Sequence, residues 1–213
     1  MGLIVVAGGH GQIALQLIAA LASSGHAARG LIRNPDHAAD VEARGGEAAL
    51  CDMETETDFS PWVGGADAVV FAAGAGPGSG PERKQTVDLG AAIKLIRACE
   101  ATGVDRYLMI SAMGAANPTA GPEAMQPYLK AKAGADQALR DSGLAYTIVR
   151  PGRLTDDPPT GRVRVGEGLE RGDIPRADVA TALAACLELP VTEGRTFDMV
   201  AGPTPIAEAL RAL

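Results

Sequence analysis

A chain of 213 residues with 46% apolar but only 3% aromatic residues can build the Ala/Val/Leu/Ile core of one large α/β domain. Its formal net charge of −7 argues against a nucleic-acid partner or an anionic membrane, both of which need a basic patch. Three scattered cysteines, Cys51, Cys99 and Cys186, read as reduced core thiols, not as a disulfide framework or a metal site.

The first predicted strand, Leu3–Ala7, is too short an apolar run for a signal peptide, and no later run approaches the ~20 residues of a membrane span. A cytoplasmic protein is expected. The strand runs into Gly8-Gly-His-Gly-Gln-Ile-Ala14, a GxxGxxA spacing. Gly8 permits the tight turn, Gly11 lets backbone N–H groups approach a diphosphate, and a small residue at 14 allows close helix packing. Ile13, Leu17 and Leu21 then mark one face of a helix whose N-terminus favours an anion. A strand, a glycine loop and a helix in this order point to a dinucleotide. His10 could donate to a phosphate or simply be solvated.

A second strand over Ala27–Arg33 brings Arg33 to the place where a dinucleotide fold reads the adenosine ribose. NAD-selective sites usually place a carboxylate there. A guanidinium suits a 2′-phosphate, so NADP(H) is preferred and NAD(H) remains possible; Asp36 is the counter-argument. The third strand, Glu47–Asp52, ends on Asp52, a carboxylate placed to accept from an adenine amino group. The fourth, Ala68–Ala73, ends in small residues that leave room for a ribose, although packing explains them almost as well. Four glycines and two prolines between positions 74 and 81 read as a mobile loop that orders over a ligand. Val87, Ala91, Leu95 and Ala98 trace the next helix.

The fifth strand, Tyr107–Ser111, delivers Ser111, and the following helix opens with Tyr128 and Lys132, which share one face at i and i+4. An ammonium beside a phenol is expected to lower the phenol's pKa, making Tyr128 an acid–base group and Lys132 a ribose-holding one. Ser111 would orient a carbonyl oxygen. An amphipathic surface helix would place tyrosine and lysine in the same way. Tyr146–Arg150 is the sixth strand. Beyond it Gly161–Gly166 alternates like a strand, Val179, Leu183 and Leu187 share a helix face, and Thr196–Val200 reads as an edge strand. Residues 151–213 are therefore expected as a small cap or substrate region of a single domain spanning 1–213. The fold class is a Rossmann-type, doubly wound parallel sheet with helices on both faces.

The segments AGGHGQIA, Arg33, CDM, FAAG, SAM, YLKAK, YTIVRPGRLT, IPRADVA and PIAEAL together resemble the atypical branch of the short-chain dehydrogenase/reductase superfamily. Within that branch the chain is similar to small bacterial NAD(P)-binding proteins of the epimerase/dehydratase-like or NmrA-like kind. This resemblance implies cofactor contacts at Gly8, Gly11, Gln12, Ile13, Arg33, Asp52, Ala73 and Lys132, with Pro151 beside the nicotinamide. It implies catalysis by Ser111, Tyr128 and Lys132. Asp88 falls where extended members often carry asparagine, and reads equally as a solvated helix-start carboxylate. The ~60 residues after the sixth strand are too few for a separate sugar-nucleotide domain. Arg176 and Asp178 are expected to fix the cap, with Asp178 at a helix start.

The leading expectation is an NADP(H)-dependent oxidoreductase acting on a small carbonyl, quinone-like or flavin substrate. Its alternatives are a non-catalytic NADP(H) redox sensor and an NAD-dependent epimerase or dehydratase. Partners are a small-molecule substrate and a possible second copy of the chain, with no nucleic acid and no membrane.

Overall fold

A computed structural model describes residues 2–76 and 78–213; Pro77, within the glycine-rich segment 74–81, lies outside the described residues. The amino-terminal half alternates β1 (Leu3–Ala7), α1 (Gln12–Ser23), β2 (Ala27–Ile32), α2 (Ala38–Glu42), β3 (Glu47–Leu50), α3 (Ser60–Val63) and β4 (Ala68–Phe71). The helical run that follows comprises α4 (Pro81–Arg83), a π-helical stretch over Lys84–Ala91 and α5 (Ala92–Thr102). Then come β5 (Arg106–Ile110), α6 (Gln126–Asp141), β6 (Ala145–Pro151), β7 (Arg153–Thr155), β8 (Arg162–Gly166) and β9 (Asp173–Pro175). The chain ends with α7 (Arg176–Glu188), β10 (Arg195–Ala201), β11 (Thr204–Pro205) and α8 (Ile206–Arg211).

Nine strands form one sheet in the order β11-β8-β10-β6-β5-β4-β1-β2-β3, and β7 pairs with β9 separately. From β3 across to β10 every neighbouring pair is parallel, while β8 runs antiparallel to β10 and β11. The order reverses between β1 and β4, the switch point at which a doubly wound sheet opens a crevice beyond its carboxyl ends.

Side chains alternate across the sheet with period two. Ile4, Val6, Val70 and Leu108 pack on one face with α1, α7 and α8. Val5, Val69, Tyr107 and Ile148 pack on the other with α3, α5 and α6. Gly25 and Gly103, both at positive φ, follow the ends of α1 and α5, where a left-handed residue stops a helix. All three cysteines are free and buried, and burial pushes their thiols up, to about 11 for Cys51 and about 12 for Cys99 and Cys186.

Two sequence expectations shift. The strands expected to end at Arg33, Asp52, Ala73 and Ser111 stop one or two residues earlier, because the chain leaves the ladder at its carboxyl end to line the crevice. The Thr196–Val200 segment is not at an edge: β10 lies between β6 and β8. Its side chains Phe197, Met199 and Val200 are buried, a burden an edge strand would not need to carry.

The opposite rim of the sheet is tied by Arg106. Its guanidinium donates to Ala145 O at 2.7 Å, Thr147 Oγ1 at 2.8 Å and Cys186 O at 2.8 Å, joining the starts of β5 and β6 to α7. Asp178, fully buried in the first turn of α7, accepts from Thr160 N, Thr160 Oγ1 and Gly161 N. It thus fixes the approach to β8, while Arg176 pairs with Asp156 at 2.8 Å. Among the described residues, no helix is long and apolar enough to cross a membrane.

Candidate dinucleotide and catalytic site

Gly8 turns the chain at φ +79°, a conformation that L side chains rarely adopt. Gly9 passes so close to β2 that a Cβ there would lie 2.6 Å from Gly30 Cα, and its N–H bonds Leu31 O at 2.9 Å. Ala14 is fully buried, letting α1 sit tightly on the sheet. No side chain caps α1, and its first turn holds no acidic residue. Its leading amides thus stay available to an anion, which this loop fits as a diphosphate cradle.

The crevice divides into two clefts that share Ala72–Gly76 as their common wall. The first, about 370 Å³, takes in Gly8, Gly11, Arg33, Asp52 and Ala73. The second, about 600 Å³, takes in Ile13, Ala73, Ser111, Tyr128 and Lys132. Two expected cofactor residues line neither: Gln12 is exposed at the start of α1, and Pro151 is buried at the end of β6.

At the first cleft, Arg33 and Arg83 both reach the carboxylate of Glu54. Asp52 Oδ1 accepts the Glu54 N–H at 3.0 Å, so one oxygen of the expected adenine-reading carboxylate is engaged in its own turn. His10 is not merely solvated. Its Nε2 meets Asp40 Oδ2 at 2.7 Å and its ring stacks on His37 at 3.5 Å between centroids.

In the second cleft, α6 carries Tyr128, Lys132 and Asp136 down one face. The Lys132 ammonium is 4% exposed and lies 3.2 Å from Asp88 Oδ1. It also donates to Ile110 O at 3.1 Å and reaches Ala73 O at 3.5 Å. Asp88, in the π-helical stretch, is fully buried, and its Oδ2 accepts from Ala75 N at 3.2 Å. The contact to Lys132 is an ion pair without an aligned hydrogen bond, since Oδ1 otherwise lacks a partner. A widened helical turn of this type gathers at functional sites, and here it aims a carboxylate at the lysine.

Lys132 sits 5.9 Å from the Tyr128 ring centroid, and Lys84 sits over the same ring at 5.3 Å. The expected lowering of the Tyr128 pKa does not occur. Burial raises it; Lys132 pulls down less than burial pushes up, and the carboxylates of Asp88 and Asp136 add to the rise. Tyr128 is therefore a neutral phenol.

Ser111 is 3% exposed, and its Oγ makes no hydrogen bond of ordinary geometry. Burial raises the Asp136 carboxyl, and the neighbouring Ser111 and Arg150 offset that rise only in part. Arg150 bonds Asp136 Oδ2 through Nε at 2.9 Å and Nη2 at 2.8 Å.

Glu54, Arg83 and Lys84 carry no motif that marks them in the sequence. Arg83 and Lys84 do follow the glycine-rich segment, where charged side chains can hold its backbone. Asp88 is the residue whose weight the linear reading underestimates, because only the fold shows its partner.

A family described as NAD(P)H-binding matches residues 8–190. The uncharacterised sugar epimerase YhfK of Bacillus subtilis is 41% identical over 208 residues, 97% of each chain. A Bacillus halodurans structure, provisionally named an NAD-dependent epimerase/dehydratase, is 37% identical with a TM-score of 0.96 over the whole of both chains. The oxidoreductase ylbE of Lactococcus lactis is 25% identical with a TM-score of 0.87, covering 99% of this chain and 96% of that one. With its Rossmann sheet and its glycine-loop cradle, the chain belongs to the NAD(P)H-binding family and is similar to atypical short-chain dehydrogenases/reductases.

Proposed function

We propose that the chain is an NADP(H)-dependent reductase of small carbonyl, quinone-like or flavin substrates. The observation that carries this is the placement of the Tyr128 phenol, with Ser111 and Lys132, on a cleft that shares its wall with the dinucleotide cradle. Carbonyl reduction needs a proton donor, and a phenol held above its ordinary pKa of about 10 stays protonated at neutral pH.

When bound, the nicotinamide supplies the hydride, and the protein supplies positions and the proton. Ser111 Oγ, free of a strong internal bond, orients the substrate oxygen. Tyr128 donates its proton to that oxygen as negative charge develops there. Lys132, anchored by Asp88 and Ile110 O, places positive charge beneath the phenol and holds the nicotinamide ribose. Ile13, Ile110, Met125 and Leu154 give the cleft apolar walls that suit a planar, weakly polar acceptor and exclude water. Arg33 favours the 2′-phosphate.

Steady-state kinetics test the assignment. Tyr128→Phe is expected to lower kcat at least about 100-fold, the usual worth of a positioned acid, while the Kd for NADPH changes less than about twofold. The wild-type rate should be level across neutral pH and fall only as the phenol ionises above its ordinary range. Unchanged turnover in the variant would overturn the mechanism.

The fully buried Asp88–Lys132 pair favours a second reading, a non-catalytic NADP(H) sensor whose lysine is a structural anchor. That reading requires no NADPH oxidation across a carbonyl, quinone and flavin panel. An epimerase, as the YhfK name suggests for that relative, would instead convert substrate without net NADPH consumption.

A further inference from the structure

Two guanidiniums at the mouth of the first cleft share a single carboxylate oxygen. Arg33, just past β2, donates to Glu54 Oε1 at 3.1 Å. Arg83, at the end of α4, reaches the same oxygen through Nε at 2.9 Å and Nη2 at 2.5 Å. Neither arginine is buried: the side chains of Arg33, Arg83 and Glu54 are 57%, 35% and 31% exposed. The backbone that carries the carboxylate is nonetheless fixed. The turn after β3 holds Glu54 through the Asp52 side chain and the bonds from Thr55 N and Glu56 N to Asp52 O, and Arg83 is tied to Ala75 O at 3.2 Å.

A carboxylate between two guanidinium forks presents the same chemistry as a phosphate between them, with fewer acceptor oxygens and less charge. Resting on the NADP(H) reading above, we propose that Glu54 is an internal competitor for the 2′-phosphate and so a residue that sets cofactor discrimination. A 2′-phosphate, with more negative charge than a carboxylate, draws Arg33 away from Glu54. A 2′-hydroxyl does not, and Arg33 then stays neutralised. Arg83, sharing the oxygen, is the second guanidinium that the exchange releases. The penalty that Glu54 imposes therefore falls on NADPH alone.

Calorimetric titration of the full chain with NADPH and NADH tests this. Glu54→Gln keeps the side chain's size and removes its charge. It should tighten NADPH about two- to tenfold, the range open to two partly exposed ion pairs, and shift NADH less than about twofold because its 2′-hydroxyl has no charge to compete. In an Arg33→Ala background the same substitution should lose part of its selective effect on NADPH, and in an Arg33→Ala/Arg83→Ala background all of it, as coupled partners do in a double-mutant cycle. NADPH affinity left unchanged or weakened by Glu54→Gln, or both cofactors shifted alike, would overturn the role of Glu54 in a protein that prefers NADPH. A wild-type protein that binds NADH more tightly would overturn the NADP(H) reading itself.

Discussion

The ion pair between Lys132 and Asp88 shows how the proposed catalytic face is held together by charges almost withdrawn from water. Both side chains are almost wholly buried, so their attraction is little screened, and each is costly without the other. Lys132→Met should therefore destabilise the protein by about 3–5 kcal/mol, the usual loss when one member of a buried pair is removed. The double variant Lys132→Met/Asp88→Asn should lose clearly less than the sum of the single changes in urea denaturation. Additive losses would mean that the two residues act separately. Their partnership is invisible in the linear chain, where Asp88 and Lys132 sit on different helices. By contrast, the i, i+4 relation of Tyr128 and Lys132 is written directly in the sequence. The direction of the Tyr128 shift is not, because it depends on burial that only the packed structure supplies.

Among the elements, the glycine loop was the most legible, since strand, turn and helix each left a local mark. Gly8, Gly11 and Ala14 occupy the places their spacing predicted. Gly9 adds a constraint that spacing could not reveal, namely the contact with Gly30 on the neighbouring strand. Gly9→Ala is expected to push the loop off β2, costing about 1–3 kcal/mol as overpacking does and weakening NADPH and NADH alike. Thermal denaturation and titration would show both effects, and an unchanged affinity would remove the loop from the cofactor site. The strands of the parallel sheet were legible from their continuous apolar runs. The interior place of β10 is not legible in the sequence, because strand order is set by pairing between distant segments and alternation within a strand does not encode it. The π-helical stretch was equally hidden, since its residues carry the same periodic stripe as an ordinary helix.

At the scale of the whole molecule, the carboxyl-end rim of the sheet bears the clefts and the other rim bears Arg106. A guanidinium with three acceptors on β6 and α7 is a strong but purely structural tie. Arg106→Met should take a donor from each of these oxygens, while Cys186 O and Thr147 Oγ1 keep Thr192 as a partner, and cost about 1–3 kcal/mol, the range for one buried group left unsatisfied. Cofactor Kd should stay within about twofold, because uncoupled distant sites behave additively. A large change in affinity would show that the two rims are coupled. Arg106 thereby separates durability from specificity. Met125, largely exposed on the wall of the proposed substrate cleft, stands apart from this anchorage, so libraries aimed at new acceptors can be explored there while the far rim carries the stability on which they draw.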